Sequence, residues 1–242
     1  MQMFKSLIAL SLFGLLSFSV VACHNDPDTP HNEQEHKHHD EPGKAVIKLT
    51  PGTFATADAF DQSPQRSQFV ERKDLPTVTY NFATGTDGWT MSTSTPAPSV
   101  LASHDGQPVY YSLAIEYFNA HGESLNGEFY EEGQDKVHQH FFSVFDNGQR
   151  VRDAAKLGFA YRYADQDPKG NHLGANNPLG LFGFIQFDGS RKAFDLNVQL
   201  MHARLTKYLA DGKTAPFYAP TDQQIQQEDW EDFSVKLPII VQ

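Results

Sequence analysis

The segment Val109–Phe118, with the sequence VYYSLAIEYF, decides the fold of this chain. Every second residue from Tyr111 to Tyr117 is large and apolar, whereas the positions between them are small or polar. A period of two is typical of a β-strand that buries one face. The same alternation recurs over the range 194–200, where Asp, Asn and Gln separate the apolar residues. The pattern therefore predicts antiparallel strands with one face in a core.

Short segments of this kind continue along residues 44–242, divided by clusters of Gly, Pro, Asn and Asp. This arrangement predicts a single all-β domain, an Ig-like or jelly-roll antiparallel β-sandwich, with a barrel as the alternative. The predicted strands are Ala45–Leu49, Thr77–Phe82, Val109–Phe118, Val137–Phe145, Leu157–Ala164, Leu181–Phe187, Ala193–Leu205 and Phe233–Val241.

Turn and cap signals predict how some of these strands are connected. Asp188–Lys192 predicts a hairpin between two strands, and Asn119–Gly122 predicts a tight turn. Thr221 followed by Gln224 forms a capping box before Ile225–Trp230, which predicts one short helix. Most Phe and Tyr residues fall at period-two positions, so we expect them in the core rather than in a cofactor pocket.

The N-terminus predicts export and lipid attachment. Residues 1–22 hold one charge, Lys5, followed by an uncharged apolar run from Ser6 to Ala22 that is short for a membrane span. The run ends in Val20-Val21-Ala22-Cys23, which resembles the lipobox of bacterial lipoproteins. That resemblance implies that the Cys23 thiol is acylated and that the signal peptide is removed. Cys23 is also the sole cysteine, which excludes disulfides and thiolate metal sites.

The sequence of residues 23–43 predicts a disordered, lipid-anchored tether. The stretch after Cys23 is rich in Pro, Asp, Glu and His and has no apolar residue that could join a core. The chain carries a net charge of −11, and loss of Lys5 with the signal peptide makes the mature charge −12 (−11 − 1). This charge argues against nucleic acid as a partner. The acidic residues soon after Cys23 resemble the export signal of surface-exposed Bacteroidota lipoproteins. That resemblance implies an outer-membrane protein exposed at the cell surface, although an acidic tether also serves plain solubility.

Histidines supply the candidate metal ligands. In the tether, His31, His36, His38 and His39 could capture an ion loosely. Within the domain, His138 and His140 lie two residues apart on a predicted strand, so their side chains share one face and could converge on one ion. His202 and His121 are the predicted further ligands. The expected metal is Zn²⁺, or Ni²⁺ or Cu²⁺; haem is less favoured because the aromatic residues are assigned to the core.

Catalytic motifs are missing from the sequence. It contains no Gly-x-Ser-x-Gly elbow, no His-Glu-x-x-His and no phosphate-binding loop. The oxygen-rich segment Asp165–Asn171 departs from a calcium loop at Pro168 and Lys169 and is interpreted as a turn. We therefore expect a binding protein rather than an enzyme.

Four stretches together resemble a group of largely uncharacterised Bacteroidota surface lipoproteins, and they span most of the domain. The resemblance implies an extracytoplasmic β-domain that serves uptake of a metal or a metal-containing nutrient beside an outer-membrane receptor. Relatives of this kind tend to carry further histidines just after the first strand, whereas Thr53–Phe60 has none, which weakens the case for a multi-histidine site. The four stretches are Tyr117–Glu123, His138–Phe142, Leu200–Arg204 and Pro216–Tyr218.

Two hypotheses of function follow. The first is a surface lipoprotein that binds a transition metal, or a nutrient containing one, as an accessory to an uptake receptor. The alternative is an Ig-like adhesion or glycan-binding module in which the histidines have no metal function. An open face carrying Phe217, Tyr218 and Trp230 would favour this alternative.

Overall fold

A computed structural model describes residues 42–94, 98–227 and 229–242 of the chain. The predicted signal peptide, Cys23 and the tether as far as residue 41, including His31, His36, His38 and His39, lie outside the described residues. The described ranges form fifteen strands: β1 Lys44–Phe54, β2 Phe69–Glu71, β3 Val78–Gly85, β4 Gly88–Ser94, β5 Ser99–Val100, β6 Ser103–His104, β7 Gln107–Pro108, β8 Tyr110–Phe118, β9 His138–Ser143, β10 Phe145–Asp146, β11 Gln149–Arg150, β12 Phe159–Tyr163, β13 Phe182–Phe187, β14 Ala193–His202 and β15 Asp229–Val241.

Helical segments are short. The α-helices are α1 Ala57–Asp61 and α2 Asp222–Gln227. Single 3₁₀ turns are formed by Arg66–Gln68, Glu128–Tyr130, Gln134–Lys136, Ala154–Lys156 and Gly174–Asn176. In the part of the chain that the structure describes, no helix is long and apolar enough to cross a membrane.

The strands form two main sheets. The larger sheet has the order β12-β13-β8-β1-β3-β4, and β2 pairs with the end of β1. The smaller sheet has the order β5-β15-β14-β9. Their pairings are antiparallel, except that β5 runs parallel to β15. Two further hairpins, β6-β7 and β10-β11, stand outside both sheets.

The core lies between the two sheets. Tyr117 of the larger sheet meets Phe233 of the smaller sheet with ring centroids 5.0 Å apart, and Phe142 meets Tyr161 at 4.2 Å. These residues belong to one continuous cluster of buried side chains drawn from both sheets. Alternation in strands such as β3 and β12, which bury every second residue, supplies part of this cluster. The predicted all-β sandwich is confirmed.

Each of the eight predicted strands is present, although their ends differ from the predicted ends by a few residues. The aromatic residues assigned to the core are mostly buried there. The predicted turn at Asn119–Gly122 is also confirmed, since the Gly122 N–H donates to the Asn119 carbonyl at 3.0 Å.

Two local predictions are wrong. Asp188–Lys192 does not close a hairpin: β13 belongs to the larger sheet and β14 to the smaller one, so this segment carries the chain between sheets. The helix begins as predicted, with Thr221 and Gln224 forming a reciprocal capping box. It ends at Gln227 instead of Trp230, because Asp229 already pairs with His202 of β14.

Candidate functional site

Strand β9 carries the predicted His138-Gln139-His140 motif, and every residue of the strand is buried. Strand β14 covers one edge of β9, and loop backbone covers the other, where the His140 N–H donates to the Leu179 carbonyl at 2.8 Å. His138 contacts Phe129, and His140 contacts Tyr117; these two rings belong to the core cluster. Both imidazoles therefore lie on the inner face of the smaller sheet, as the period of two predicts.

His138 and His202 are brought together. They face each other across β9 and β14, and their ring centroids are 4.3 Å apart. His138 Nδ1 lies 2.9 Å from the Gln134 carbonyl oxygen, which can only accept a hydrogen bond. Nδ1 must therefore carry the proton, and in the neutral ring Nε2 presents its lone pair. His202 is only partly buried, so the pair lies between the core and the surface.

The ring of His140 makes different hydrogen bonds from that of His138. Its Nδ1–H donates to the Leu179 carbonyl at 2.8 Å, and its Nε2 accepts the Tyr117 hydroxyl at 2.7 Å. Burial lowers the pKa of His140 to about 4, while the Leu179 carbonyl opposes that change. His140 is thus a neutral ring with both nitrogens engaged in the core. The geometry does not support His140 as a ligand of an ion shared with His138.

The four predicted ligands do not converge. His121 is exposed in the turn after β8, where its backbone N–H donates to Asn119 Oδ1. Across residues 42–94, 98–227 and 229–242, no group of three or more His, Cys, Asp or Glu side chains is placed to hold a metal ion. Of the predicted set, His138 and His202 are the two whose rings lie side by side.

Lys207 lies beside this strand as a buried cation that the sequence did not indicate. Its ammonium group donates to the carbonyl oxygens of His138 at 3.0 Å and of Pro178 at 2.6 Å. Burial lowers the pKa of Lys207 to about 7, and the charges of Asp165 and Asp135 oppose this fall. Lys207 thereby ties the loop around Pro178 to the backbone of β9.

Asp165 is the buried anion of the same region. Its carboxylate accepts the backbone N–H groups of Gly180 at 2.8 Å, Phe182 at 3.0 Å and Leu179 at 3.1 Å. Burial raises the pKa of Asp165, while these three N–H groups and Lys207 oppose the rise. Asp165 fixes the loop that covers β9, and the Asp165 side chain itself is closed to solvent.

The segment around Asp167 is a turn, in agreement with its interpretation from sequence. Asp167 Oδ1 accepts the N–H groups of Lys169 and Asn171, and Oδ2 accepts the Asn171 side-chain amide. These hydrogen bonds lower the pKa of Asp167. The carboxylate oxygens that a calcium ion would require are thus used to hold the turn itself.

A separate groove opens at the other end of β9 and has a volume of about 520 Å³. The residues that line it include Phe145 and Asp146 of the β10-β11 hairpin, Arg191, and Asp195 and Asn197 of β14. It is an open surface groove rather than an enclosed cavity. Sequence reasoning missed this groove, because its parts come from segments far apart in the chain.

The aromatic residues proposed for an open face are placed elsewhere. Phe217 and Tyr218 are partly buried and pack against the main core, and Phe217 contacts Tyr161 at 5.5 Å between centroids. The side chain of Trp230 lies outside the part of the chain that the structure describes. The described rings therefore give no support to an open aromatic face at these positions.

Comparison of the chain with models of known protein families, with curated proteins and with solved structures found no match in any of the three. The similarity to surface lipoproteins, and the uptake role that it implies, therefore stay predictions.

The His140 environment predicts a pH dependence of stability. Because its folded pKa of about 4 lies below the ordinary 6.5, the unfolded chain binds the proton first. Stability is therefore lost as pH falls from about 6.5 to about 4, by about 3 kcal/mol for a shift of this size. Urea unfolding at pH 7 and pH 4 measures this loss.

His140→Gln is the matched variant for this experiment, because a Gln amide can donate to Leu179 and accept from Tyr117 without titrating. We expect its stability to fall less than that of the natural chain between the two pH values. Equal losses for both proteins would show that His140 is not the group responsible.

Proposed function

We propose that the protein is a lipid-anchored, surface-exposed outer-membrane lipoprotein that binds a transition-metal ion as an accessory to an uptake receptor. His138 and His202 are the domain ligands in this proposal. The tether histidines His31, His36, His38 and His39 supply loose capture of the same ion.

The observation that carries the proposal is the hydrogen bond from His138 Nδ1 to the Gln134 carbonyl. Histidines that ligate metals usually donate the other ring N–H to a carbonyl or carboxylate, which fixes the tautomer and the ring orientation. His138 has this arrangement, and its ring lies 4.3 Å from that of His202 between centroids. Two neighbouring imidazoles suit Zn²⁺, Ni²⁺ or Cu²⁺.

A two-histidine arrangement also fits a delivery role. Structural zinc sites usually have four protein ligands, whereas sites with open coordination positions keep water or an exchangeable ligand. An ion held by His138 and His202 would therefore remain accessible to a receptor, and the partial exposure of His202 provides the route. The mature net charge of −12 (−11 − 1, for loss of Lys5) adds a general attraction for cations.

Calorimetric titration of the mature chain with Zn²⁺, Ni²⁺ and Cu²⁺ tests the proposal. Cys23→Ser should be used throughout, so that an unacylated thiol cannot contribute. We expect at least one ion to bind with a Kd of about 10 μM or tighter, which corresponds to about −6.8 kcal/mol. Absence of any affinity in that range would exclude the proposed function.

The same titration on histidine-to-alanine variants identifies which histidines bind the ion. His202→Ala is preferable to a change at the fully buried His138, because His202 is partly exposed. We expect His202→Ala to weaken the domain site at least about tenfold, or about 1.4 kcal/mol. Replacing the four tether histidines by Ala should remove only the weaker events. His121→Ala is the matched control, and a loss equal to that of His202→Ala would contradict the assignment.

A further inference from the structure

The groove beside the β10-β11 hairpin is independent of the histidine pair. The register pairs His202 with His138 at one end of β9, and Asn197 with Ser143 at the other. His138 and Ser143 are five residue steps apart along the strand, a distance of about 17 Å. A ligand in the groove would therefore use a different set of side chains from the proposed metal site.

The hairpin wall of the groove is held in place by its own turn. Asn147 and Gly148 both have positive φ angles, 51° and 78°, as in the two-residue turn that favours Asn-Gly. The Arg150 guanidinium lies 4.8 Å from the centroid of the Phe145 ring and donates to Ser143 Oγ at 2.7 Å. The Phe145 ring is thus supported from within the protein, yet the residue remains 38% exposed.

Arg191 forms the adjoining wall and is equally constrained. It donates to both carboxylate oxygens of Asp146, at 2.8 and 2.7 Å, and its Nε–H donates to the Lys156 carbonyl at 2.7 Å. Its guanidinium holds the pKa of Asp146 below its usual range. The charges of Arg191 and Asp146 are directed at each other, so neither is a free counter-charge for a ligand.

The remaining polar groups of the groove are also balanced in charge. Asp195 and Lys236 contribute one negative and one positive charge, and the Asn197 amide contributes none. With Asp146 and Arg191, the groove therefore has no net charge and offers both donors and acceptors. Such a surface gives no electrostatic preference for a polyanion or a polycation.

We propose that this groove binds an uncharged oligosaccharide. A sugar hydroxyl can donate to the Asp195 carboxylate or the Asn197 side-chain oxygen and accept from the Lys236 ammonium, while the apolar face of a sugar ring can pack on Phe145. The Asn197 side-chain NH2 group already donates to the carbonyl oxygens of Ser143 at 3.3 Å and Asp195 at 3.2 Å, which holds its oxygen in place. Arg191 is already held by Asp146, and Arg150 by Ser143, so the side chains beside the groove lose little conformational freedom when a ligand binds. This inference does not rest on the proposed metal function.

Titration calorimetry with maltohexaose, cellohexaose, xylohexaose and mannohexaose tests the inference on the mature Cys23→Ser chain. EDTA is included, so that failure of metal binding cannot affect the result. We expect at least one of these neutral sugars to bind with a Kd of about 1 mM or tighter. Polygalacturonate and heparin serve as anionic probes and are expected to bind more weakly.

Phe145→Ala and Asn197→Ala should each weaken binding of that sugar about tenfold or more. Val70→Ala is the matched control, because Val70 is an exposed apolar residue of the larger sheet and is 64% accessible. The inference is overturned if none of the four sugars binds, if an anionic probe binds more tightly, or if the two groove variants bind like the Val70→Ala protein.

Discussion

Replacing Cys23 by Ser is expected to abolish lipid labelling of the protein and to leave its precursor uncut. In the lipoprotein family that the Val20–Cys23 segment resembles, the cysteine thiol receives the acyl chains and cleavage follows. A serine hydroxyl provides no thiol for that step. Because a single acyl chain binds membranes with a constant of only about 10⁴ M⁻¹, stable anchoring requires the several chains that this modification supplies.

Labelled palmitate in a Gram-negative host measures the effect, together with the mass of the purified protein. Ser17→Ala lies in the same apolar run and should keep the label in full. A second chain, in which residues 1–22 are exchanged for an unrelated cleavable secretory signal and Cys23 for Ser, should appear in the soluble periplasmic fraction. Label on Cys23→Ser, or membrane retention of this second chain, would contradict the anchor.

The strands could be predicted because their signal is local. Alternation over Val109–Phe118 and 194–200 reports directly which face of a strand is buried, and both segments form strands of the sandwich. Strand β4 was missed because its sequence, GWTMSTS, has only Trp89 and Met91 as large apolar residues, and because its first residue, Gly88, belongs to the Asp87-Gly88 turn signal. It forms by pairing with β3, and the alternation of Trp89 and Met91 with Thr90 and Ser92 is too short to predict a strand by itself.

The connection at Asp188–Lys192 shows the limit of turn signals. Asp188 accepts the Ser190 N–H at 2.7 Å, so the turn itself is formed as the residue types predict. A turn of this composition serves a hairpin or a crossing between sheets equally well. The choice depends on β8 and β15, the partners of β13 and β14, which lie far away in the sequence.

Some features of the candidate site could likewise be predicted from the sequence, and others could not. The shared face of His138 and His140 follows from their spacing, and the predicted proximity of His202 is met because β14 places it beside β9. Their different roles do not follow from spacing, because Gln134 fixes one ring and Tyr117 engages the other. The sequence carries no local sign that Lys207 is buried, since its hydrogen-bond partners are 29 and 69 residues away.

Asp165→Ala is expected to destabilise the domain by about 3–5 kcal/mol, a large fraction of the roughly 5–15 kcal/mol that is usual for a folded protein. The variant leaves the buried N–H groups of Leu179 and Gly180, and the partly buried N–H of Phe182, without their acceptor. An unsatisfied buried donor costs about 1–3 kcal/mol. The variant also removes the negative charge that stabilises the buried Lys207 ammonium.

Urea unfolding at pH 7, followed by circular dichroism, measures this loss. Asp188→Ala is the matched control, because Asp188 is exposed and accepts a single N–H, from Ser190; its cost should stay below about 1 kcal/mol.

Should Asp165→Ala fail to fold, Asp165→Asn keeps one acceptor oxygen, and amide hydrogen exchange at residues 179–182 reports the same loop. Because the Leu179 carbonyl anchors His140, loosening of this loop should also release the inner face of β9. Unchanged exchange there, with stability within about 1 kcal/mol of the natural chain, would mean that Asp165 does not fasten the loop to the sandwich.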